Sequence, residues 1–241
     1  MQNEPETLTI NVNENDAVTA VLYPAPNKNR VGVTVILGHG AGASQLSGFM
    51  QIFAKGLAAL GLDVMTFNFI YMEQKRSVPD QMGKLESCYR AVIDAALKHK
   101  KLKRNRLVIG GKSMGGRIAS LVAAAAADAR DALDRHISGL VFLGYPLHPP
   151  GAPEKLRVEH WPNIKVPLLF VQGTRDPLGT PDEITPFIQQ FKLPATIHTI
   201  EGGDHSLKAP KKFGISQNEI YDMAMDEIVR WAAAIGLRTQ Q

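Results

Sequence analysis

Hydrophobic and polar positions follow two alternating patterns from about residue 30 onward. Short, nearly continuous apolar runs such as Val31–Leu37 are typical of parallel strands buried on both faces. Longer stretches with helical spacing lie between these runs, for example Met82–Lys98. This alternation predicts an α/β fold, with a mainly parallel sheet and helices on both faces. We expect about seven or eight strands, in a single domain over residues 1–241.

The individual elements can be placed along the chain. Two alternating segments separated by Asn-rich turn residues predict a hairpin at a sheet edge, Leu8–Val12 and Ala17–Tyr23. Later strands are predicted at Val31–Leu37, Leu62–Phe69, Leu107–Ile109, Ile137–Leu143, Val166–Val171 and Thr196–Ile200. Helices are predicted at Gly48–Leu60, Met82–Lys98, Met114 to about Asp128, Asp182–Phe191 and Glu219–Ile235. The Pro-rich stretch Tyr145–Val166 is long for a loop; it could cap the site but is too short for a large lid.

A G-x-S-x-G motif, Gly111 to Gly115, falls between a predicted strand and the Ala-rich helix. That context predicts a sharp turn that presents Ser113 as a nucleophile above the sheet edge. The alternatives are a glycine-rich turn with Ser113 as helix N-cap, and a P-loop. The P-loop is disfavoured because its first glycine position is occupied by Arg106.

A serine nucleophile needs a base, and this type of fold supplies an acid and then a histidine after later strands. Asp176 and His205 each follow a predicted strand, so we expect both at the sheet edge that carries Ser113. His205 is predicted to accept the serine proton, and Asp176 to orient the imidazole. Asp182 and Glu183 are the fallback acids, and Asp204 is a poor one because it adjoins the histidine.

Acyl transfer also needs hydrogen-bond donors for the developing oxyanion. The backbone N–H of Met114 is one predicted donor. The other is expected in the small-residue loop after Val31–Leu37, at Ala41, with Gly40 and Gly42 as alternatives. His39 more naturally braces this loop than moves protons. Gly40, Tyr145 and His148 are candidate substrate contacts.

Further residues near the motifs have two interpretations. Four basic residues are either surface cations or, if they face the cleft, would favour an anionic substrate: Lys112, Arg117, Arg175 and Lys208. Four large apolar residues either belong to the core or form the wall of an acyl pocket: Tyr71, Met72, Tyr145 and Trp161.

Composition narrows the class of protein only slightly. Of 241 residues, 44% are hydrophobic and the net charge is +4, which is ordinary for a globular protein and too weak to argue for nucleic acid. Cys88 is the single cysteine, so no intrachain disulfide is possible. The N-terminal residues lack the features of a signal peptide, and no apolar run is long enough to span a membrane. We therefore predict a cytoplasmic protein, a monomer or homodimer, with no membrane or nucleic-acid partner, no cofactor and no metal.

Together, Gly38–Gly42, Gly111–Gly115, Asp176 and the Gly203-Asp204-His205 turn resemble the α/β-hydrolase superfamily over nearly the whole chain. More narrowly, the chain resembles small dienelactone-hydrolase-like members with little or no lid. The strings LGHGAG, FNFIYME, GGKSMGGR, YPLHPP and VQGTRDPLG resemble one subfamily of these, which is related to a testis-expressed hydrolase-like protein and to a subunit of the nonspecific-lethal chromatin complex. The nucleophile is serine where dienelactone hydrolases carry cysteine, so dienelactone is not the expected substrate.

These features predict a serine hydrolase, carboxylesterase- or thioesterase-like, that cleaves small esters or thioesters through an acyl-serine intermediate. The alternatives are a catalytically weak binding or scaffold protein of the same fold, suggested by the chromatin-associated relative, and another activity of the triad such as a peptidase or acyltransferase. An intact triad argues against a pure scaffold, which has no need of one.

Overall fold

A computed structural model describes residues 3–129, 136–210, 212 and 214–235. Its strands are β1 Glu6–Asn11, β2 Ala17–Tyr23, β3 Val33–Gly38, β4 Asp63–Phe67, β5 Arg106–Lys112, β6 Ile137–Leu143, β7 Leu168–Gly173 and β8 Ala195–Ile200. Its α-helices are α1 Gly48–Ala59, α2 Ile70–Glu73, α3 Met82–Lys98, α4 Met114–Ala129, α5 Pro181–Gln190 and α6 Gln217–Ala234. Short 3₁₀ turns occur at Asn27–Asn29 and Trp161–Asn163.

The strands form one sheet in the order β1-β2-β4-β3-β5-β6-β7-β8. The hairpin β1–β2 is antiparallel and occupies one edge, and β2 also pairs antiparallel with β4. All the remaining pairs are parallel. The prediction of a mainly parallel sheet of seven or eight strands is therefore confirmed, and so is the edge hairpin.

Two hydrophobic cores cover the two faces of the sheet. One core contains the apolar faces of α3, α4 and α5, and the other contains those of α1 and α6. The central strands are buried along their whole lengths, as in β3 and β7, because helices cover them on both sides. The carboxyl ends of these parallel strands therefore meet at one sheet edge, where loops are free to carry chemistry.

The chain leaves β4 earlier than its apolar pattern predicts. Asn68 and Phe69 extend the hydrophobic run, but the strand ends at Phe67 and α2 begins at Ile70. The Asn68 side chain accepts a hydrogen bond from the Gln45 N–H at 3.0 Å. The Phe69 N–H donates to His39 Nε2 at 3.1 Å. Contacts with distant loops, which periodicity cannot reveal, redirect the chain here.

The Pro-rich stretch after β6 does not cap Ser113. Its large side chains Tyr145, Leu147 and Trp161 are almost completely buried within the core on the α4 side. Tyr145 Oη donates to the Arg157 carbonyl at 3.0 Å and accepts from Trp161 Nε1 at 3.1 Å. The length of this segment reflects core packing, and the described residues contain no inserted lid domain.

Candidate active site

Ser113 lies at the tight turn between β5 and α4, and its backbone has a positive φ of 50°. A non-glycine residue rarely adopts this conformation, and strain of this kind is concentrated at functional sites. Its N–H donates to the carbonyl of Leu143 on β6 at 3.2 Å, which fixes the turn to the sheet. The strained turn therefore sets the direction of the Ser113 side chain, as the G-x-S-x-G motif predicts.

The glycines that flank Ser113 are required by the neighbouring strand. A Cβ added at Gly111 would lie 2.2 Å from the Gly38 carbonyl oxygen, and one at Gly115 would lie 2.1 Å from the same atom. Gly111 also has a φ of 149°. The glycine spacing thus lets the turn and the end of β3 approach one another, which brings the loop after β3 close to Ser113.

The structure brings Ser113, His205 and Asp176 into one hydrogen-bonded line. Ser113 Oγ lies 2.8 Å from His205 Nε2. His205 Nδ1 lies 2.8 Å from Asp176 Oδ2 and 3.0 Å from Oδ1. Because a carboxylate only accepts hydrogen bonds, Nδ1 carries the imidazole proton and Nε2 is left to accept the serine proton. The His205 side chain is 23% exposed, while that of Asp176 is fully buried.

Asp176 is held by two further donors that the sequence analysis did not identify. Gln172 Nε2 donates to Asp176 Oδ2 at 2.8 Å, and the Leu178 N–H donates to Oδ1 at 2.9 Å. The same amide of Gln172 also reaches the Gly179 carbonyl at 2.6 Å. Gln172 is completely buried at the end of β7, and a polar residue in an otherwise apolar strand is the signal that would have found it.

Among the described residues, neither fallback acid bonds to His205, and Asp182 is exposed in the first turn of α5. Glu183 forms the capping box of α5 with Thr180, and its Oε1 lies 3.4 Å from His148 Nε2. Asp204 Oδ1 accepts hydrogen bonds from the backbone N–H groups of Ser206 and Lys208. Asp204 therefore shapes the turn that presents His205 and does not orient its ring.

Lys112 links the turn at Ser113 to the loop that carries His205. Its Nζ donates to the His205 carbonyl at 2.6 Å and lies 5.7 Å from the centre of the Phe49 ring. Burial lowers the pKa of Lys112 to about 8, and the charges of Asp176 and Asp204 act in the opposite direction. Lys112, which adjoins Ser113, therefore positions the backbone of His205.

His39 holds the loop after β3. Its Nε2 accepts a hydrogen bond from the Phe69 N–H, and its Nδ1 lies 2.9 Å from the Gly40 carbonyl. The ring must therefore carry its proton on Nδ1 and donate it to Gly40. Burial lowers the pKa of His39 to about 4, so the ring is neutral at neutral pH. Both nitrogens have structural partners, which matches the expected bracing role.

The two predicted oxyanion donors are available. Within the described part of the chain, neither the Ala41 N–H nor the Met114 N–H donates to another residue. A trans peptide points its N–H and C=O in opposite directions. Because His39 holds the Gly40 carbonyl, the Ala41 N–H is directed away from that ring. Met114 is the first residue of α4, where N–H groups are unpaired and the helix dipole favours negative charge.

A cavity of about 440 Å³ opens beside Ser113 and His205. Its remaining lining residues are mostly small or apolar: Gly40, Ala41, Ala43, Ser47, Phe49, Met50, Lys112, Leu178 and Ser206. Gly40 lies where the sequence analysis expects it. A larger and more open groove of about 630 Å³ between β1 and α3 contains none of the predicted catalytic residues.

Tyr145 and His148 do not line this cavity, so the structure does not place them as substrate contacts. The Tyr145 hydroxyl is used within the core, and His148 Nδ1 lies 3.0 Å from the Pro149 carbonyl. Tyr71 and Trp161 are likewise core residues. Their burial follows from the path of the chain after β4 and β6, which sequence pattern alone does not define.

Comparison with known proteins supports the fold and shows the family. The model of the α/β-hydrolase domain family matches residues 31–233. Dienelactone hydrolase from Anabaena variabilis is 18% identical, covers 99% of both chains and has a TM-score of 0.69. A lidless α/β serine hydrolase from Xanthomonas campestris is 18% identical, covers 95% of both chains and has a TM-score of 0.67. The esterase Est1E from Butyrivibrio proteoclasticus is 17% identical over 96% of this chain and 98% of its own, with a TM-score of 0.66.

The chain therefore belongs to the α/β-hydrolase domain family. The narrower resemblance to the testis-expressed and chromatin-complex subfamily stays a prediction. Among the described residues, no helix has both the length and the apolar character needed to cross a bilayer.

Proposed function

We propose that this protein is a serine hydrolase that cleaves small carboxylic esters or thioesters through an acyl-serine intermediate. The observation that carries the proposal is the continuous chain of hydrogen bonds from Ser113 Oγ through His205 to Asp176. Esterases and serine hydrolases among proteins of the same fold support it.

In the first half of the reaction, His205 Nε2 removes the Ser113 proton while Oγ attacks the carbonyl carbon of the ester. Buried Asp176 accepts the Nδ1–H bond and stabilises the imidazolium that forms. The N–H groups of Ala41 and Met114 donate to the oxyanion of the tetrahedral intermediate. When the intermediate collapses, His205 returns the proton to the departing alcohol or thiol, which leaves Ser113 acylated.

In the second half, water takes the place of the alcohol. His205 removes a proton from the water as it attacks the acyl carbon, the same two N–H groups stabilise the second oxyanion, and the proton returns to Ser113 Oγ. The carboxylic acid then leaves. The 23% exposure of the His205 side chain gives water a direct path to the base.

The size of the cavity favours small acyl groups. Its volume of about 440 Å³ lies toward the lower end of the range for ligand pockets. Phe49, Met50 and Leu178 form an apolar wall, which suits a short aliphatic or aromatic acyl chain.

A fluorophosphonate probe tests the nucleophile directly. We expect the probe to label wild-type protein on Ser113 and not to label Ser113→Ala. The same variant should lose about 10⁴–10⁶-fold in kcat against p-nitrophenyl acetate. A panel of esters and thioesters of increasing acyl length should then show activity falling once the chain exceeds the cavity.

Folded wild-type protein that neither takes the probe nor hydrolyses any member of the panel would refute the proposal. That result would leave the binding or scaffold alternative, and a stable partner recovered with the inactive protein would support it.

A further inference from the structure

Two arginines lie outside the cavity, on and beside α4, and their charges act on each other. Arg117 is on α4, one turn after Ser113, and Arg157 lies in the stretch that follows β6. We call them the arginine pair. Among the described residues, no carboxylate forms an ion pair with either member. Arg117 Nε is buried and has no hydrogen-bond partner.

The positive charge of Arg117 acts on its neighbours and disfavours further positive charge there. Burial and then the neighbouring Arg117 guanidinium lower the pKa of Arg157. Burial, followed by the same guanidinium, lowers the pKa of His160 to about 4, so His160 is neutral at neutral pH. Glu159 is exposed and acts on His160, yet it bonds to neither arginine. Two half-buried cations without a counter-ion are costly, unless an anion from outside the chain compensates them.

A network of neutral groups holds the pair in place. Ser120 Oγ donates to the Arg117 carbonyl at 2.7 Å and lies 2.7 Å from His160 Nε2. On the other side, the Arg157 N–H donates to the Leu147 carbonyl at 2.8 Å, and Tyr145 Oη donates to the Arg157 carbonyl at 3.0 Å. These bonds fix the backbones of both arginines. Arg157 Nη1 donates to the Pro146 carbonyl at 3.4 Å, and most of the other guanidinium donors have no partner among the described residues.

We infer that Arg117 and Arg157 form a binding site for a small oxyanion, a carboxylate or phosphate group. A planar guanidinium fork matches the oxygens of such a group, and a pair of forks can hold it from two sides. Helical side chains lean toward the N-terminus of their helix, which for Arg117 is the end that carries Ser113. Four residues of α-helix span about 6 Å, so an anion held by Arg117 would lie within reach of an ester bound at Ser113. The bound group is therefore either the charged end of that ester or a separate anion.

The first measurement uses inorganic phosphate as the probe, at constant ionic strength maintained with sodium chloride. We expect a saturable rise in the Tm of wild-type protein, of about 4–7 °C at a concentration roughly twentyfold above Kd. Arg117→Gln and Arg157→Gln should abolish this rise. Lys165→Gln is the matched control, since Lys165 is an exposed cation of the same Pro-rich stretch and, among the described residues, bonds only to the Pro162 carbonyl. Arg117→Lys keeps the charge if the glutamine variant folds poorly.

The second measurement identifies the source of the anion, and it rests on the proposed function. We compare p-nitrophenyl hemisuccinate, which carries a free carboxylate, with p-nitrophenyl butyrate. If the anion belongs to the substrate, Arg117→Gln should lower kcat/KM for the hemisuccinate about 10–100-fold more than for the butyrate. Equal losses together with phosphate binding would assign the site to a separate anion.

The inference is overturned if phosphate stabilises wild type no more than sodium chloride does and both esters lose equally. Phosphate binding does not depend on turnover. Protein that binds phosphate but takes no fluorophosphonate probe would therefore keep this site and refute the proposed hydrolase.

Discussion

The close approach of Gly115 to the end of β3 leads to a quantitative prediction for Gly115→Ala. The added Cβ would lie 2.1 Å from the Gly38 carbonyl oxygen, 2.3 Å from its carbon and 2.8 Å from its Cα. All three are backbone atoms that cannot rotate away. Ordinary contact starts at 3.4 Å, so α4 and β3 must separate by about 1.3 Å.

That separation should affect stability and activity to different extents. Overpacking of this kind costs about 1–3 kcal/mol, which lowers the Tm of a protein of this size by about 4–8 °C at the middle of that range. Activity should fall further, because Gly38 leads directly into the loop that carries Ala41, while Gly115 follows Met114. A misplacement of about 1 Å between the two oxyanion donors should lower kcat roughly 100-fold.

Steady-state hydrolysis of p-nitrophenyl acetate and thermal unfolding measure the two effects on one preparation. Gly83→Ala is the matched control, because Gly83 is in α3 and a Cβ there meets no atom within 4 Å. Alanine should leave activity unchanged and keep or raise Tm, since it is the better helix former. If Gly115→Ala retains full kcat and Tm, the contact with Gly38 is not what the glycine is required for.

Three further predictions concern the site. Asp176→Asn should lower kcat about 10⁴-fold with little change in KM, because the amide no longer stabilises the imidazolium of His205; single-turnover kinetics that show normal acylation would contradict this. Wild-type kcat should decline above about pH 8, as Lys112, whose pKa is about 8, loses its charge-assisted bond to the His205 carbonyl. Stability should rise over the same range, because the unfolded chain then binds more protons, and Lys112→Met should show neither change. Conversely, the pKa of His39 is lowered to about 4, so the neutral ring stabilises the fold above pH 6.5, and this contribution is lost as pH falls toward 4. Urea unfolding of wild type and His39→Asn across that range should show a shallower decline in the variant.

Local sequence predicted much of the fold. Helix α3 and strand β6 have their predicted bounds, because their apolar periodicity runs uninterrupted between clear ends. Strand β5 runs further than predicted, through Gly110 and Gly111. A Cβ at Gly110 would lie 1.8 Å from the Val141 carbonyl oxygen. Glycine in this strand therefore allows close packing against β6. In the sequence alone, a glycine needed for packing cannot be distinguished from a glycine that marks a turn.

The sequence by itself determined the sharp turn at Ser113, because five consecutive residues encode its strain and its glycines. It also determined the alternation of strands and helices, which places the later loops at the same sheet edge. Only the tertiary structure decided which carboxylate reaches His205, 29 positions away in the chain, and that Lys112 reaches its carbonyl across 93 positions. It likewise decided that Tyr145 belongs to the core and that Arg117 and Arg157 form no ion pair with any described carboxylate. Such contacts depend on distances between segments far apart in sequence, which side-chain packing fixes only once the sheet has formed.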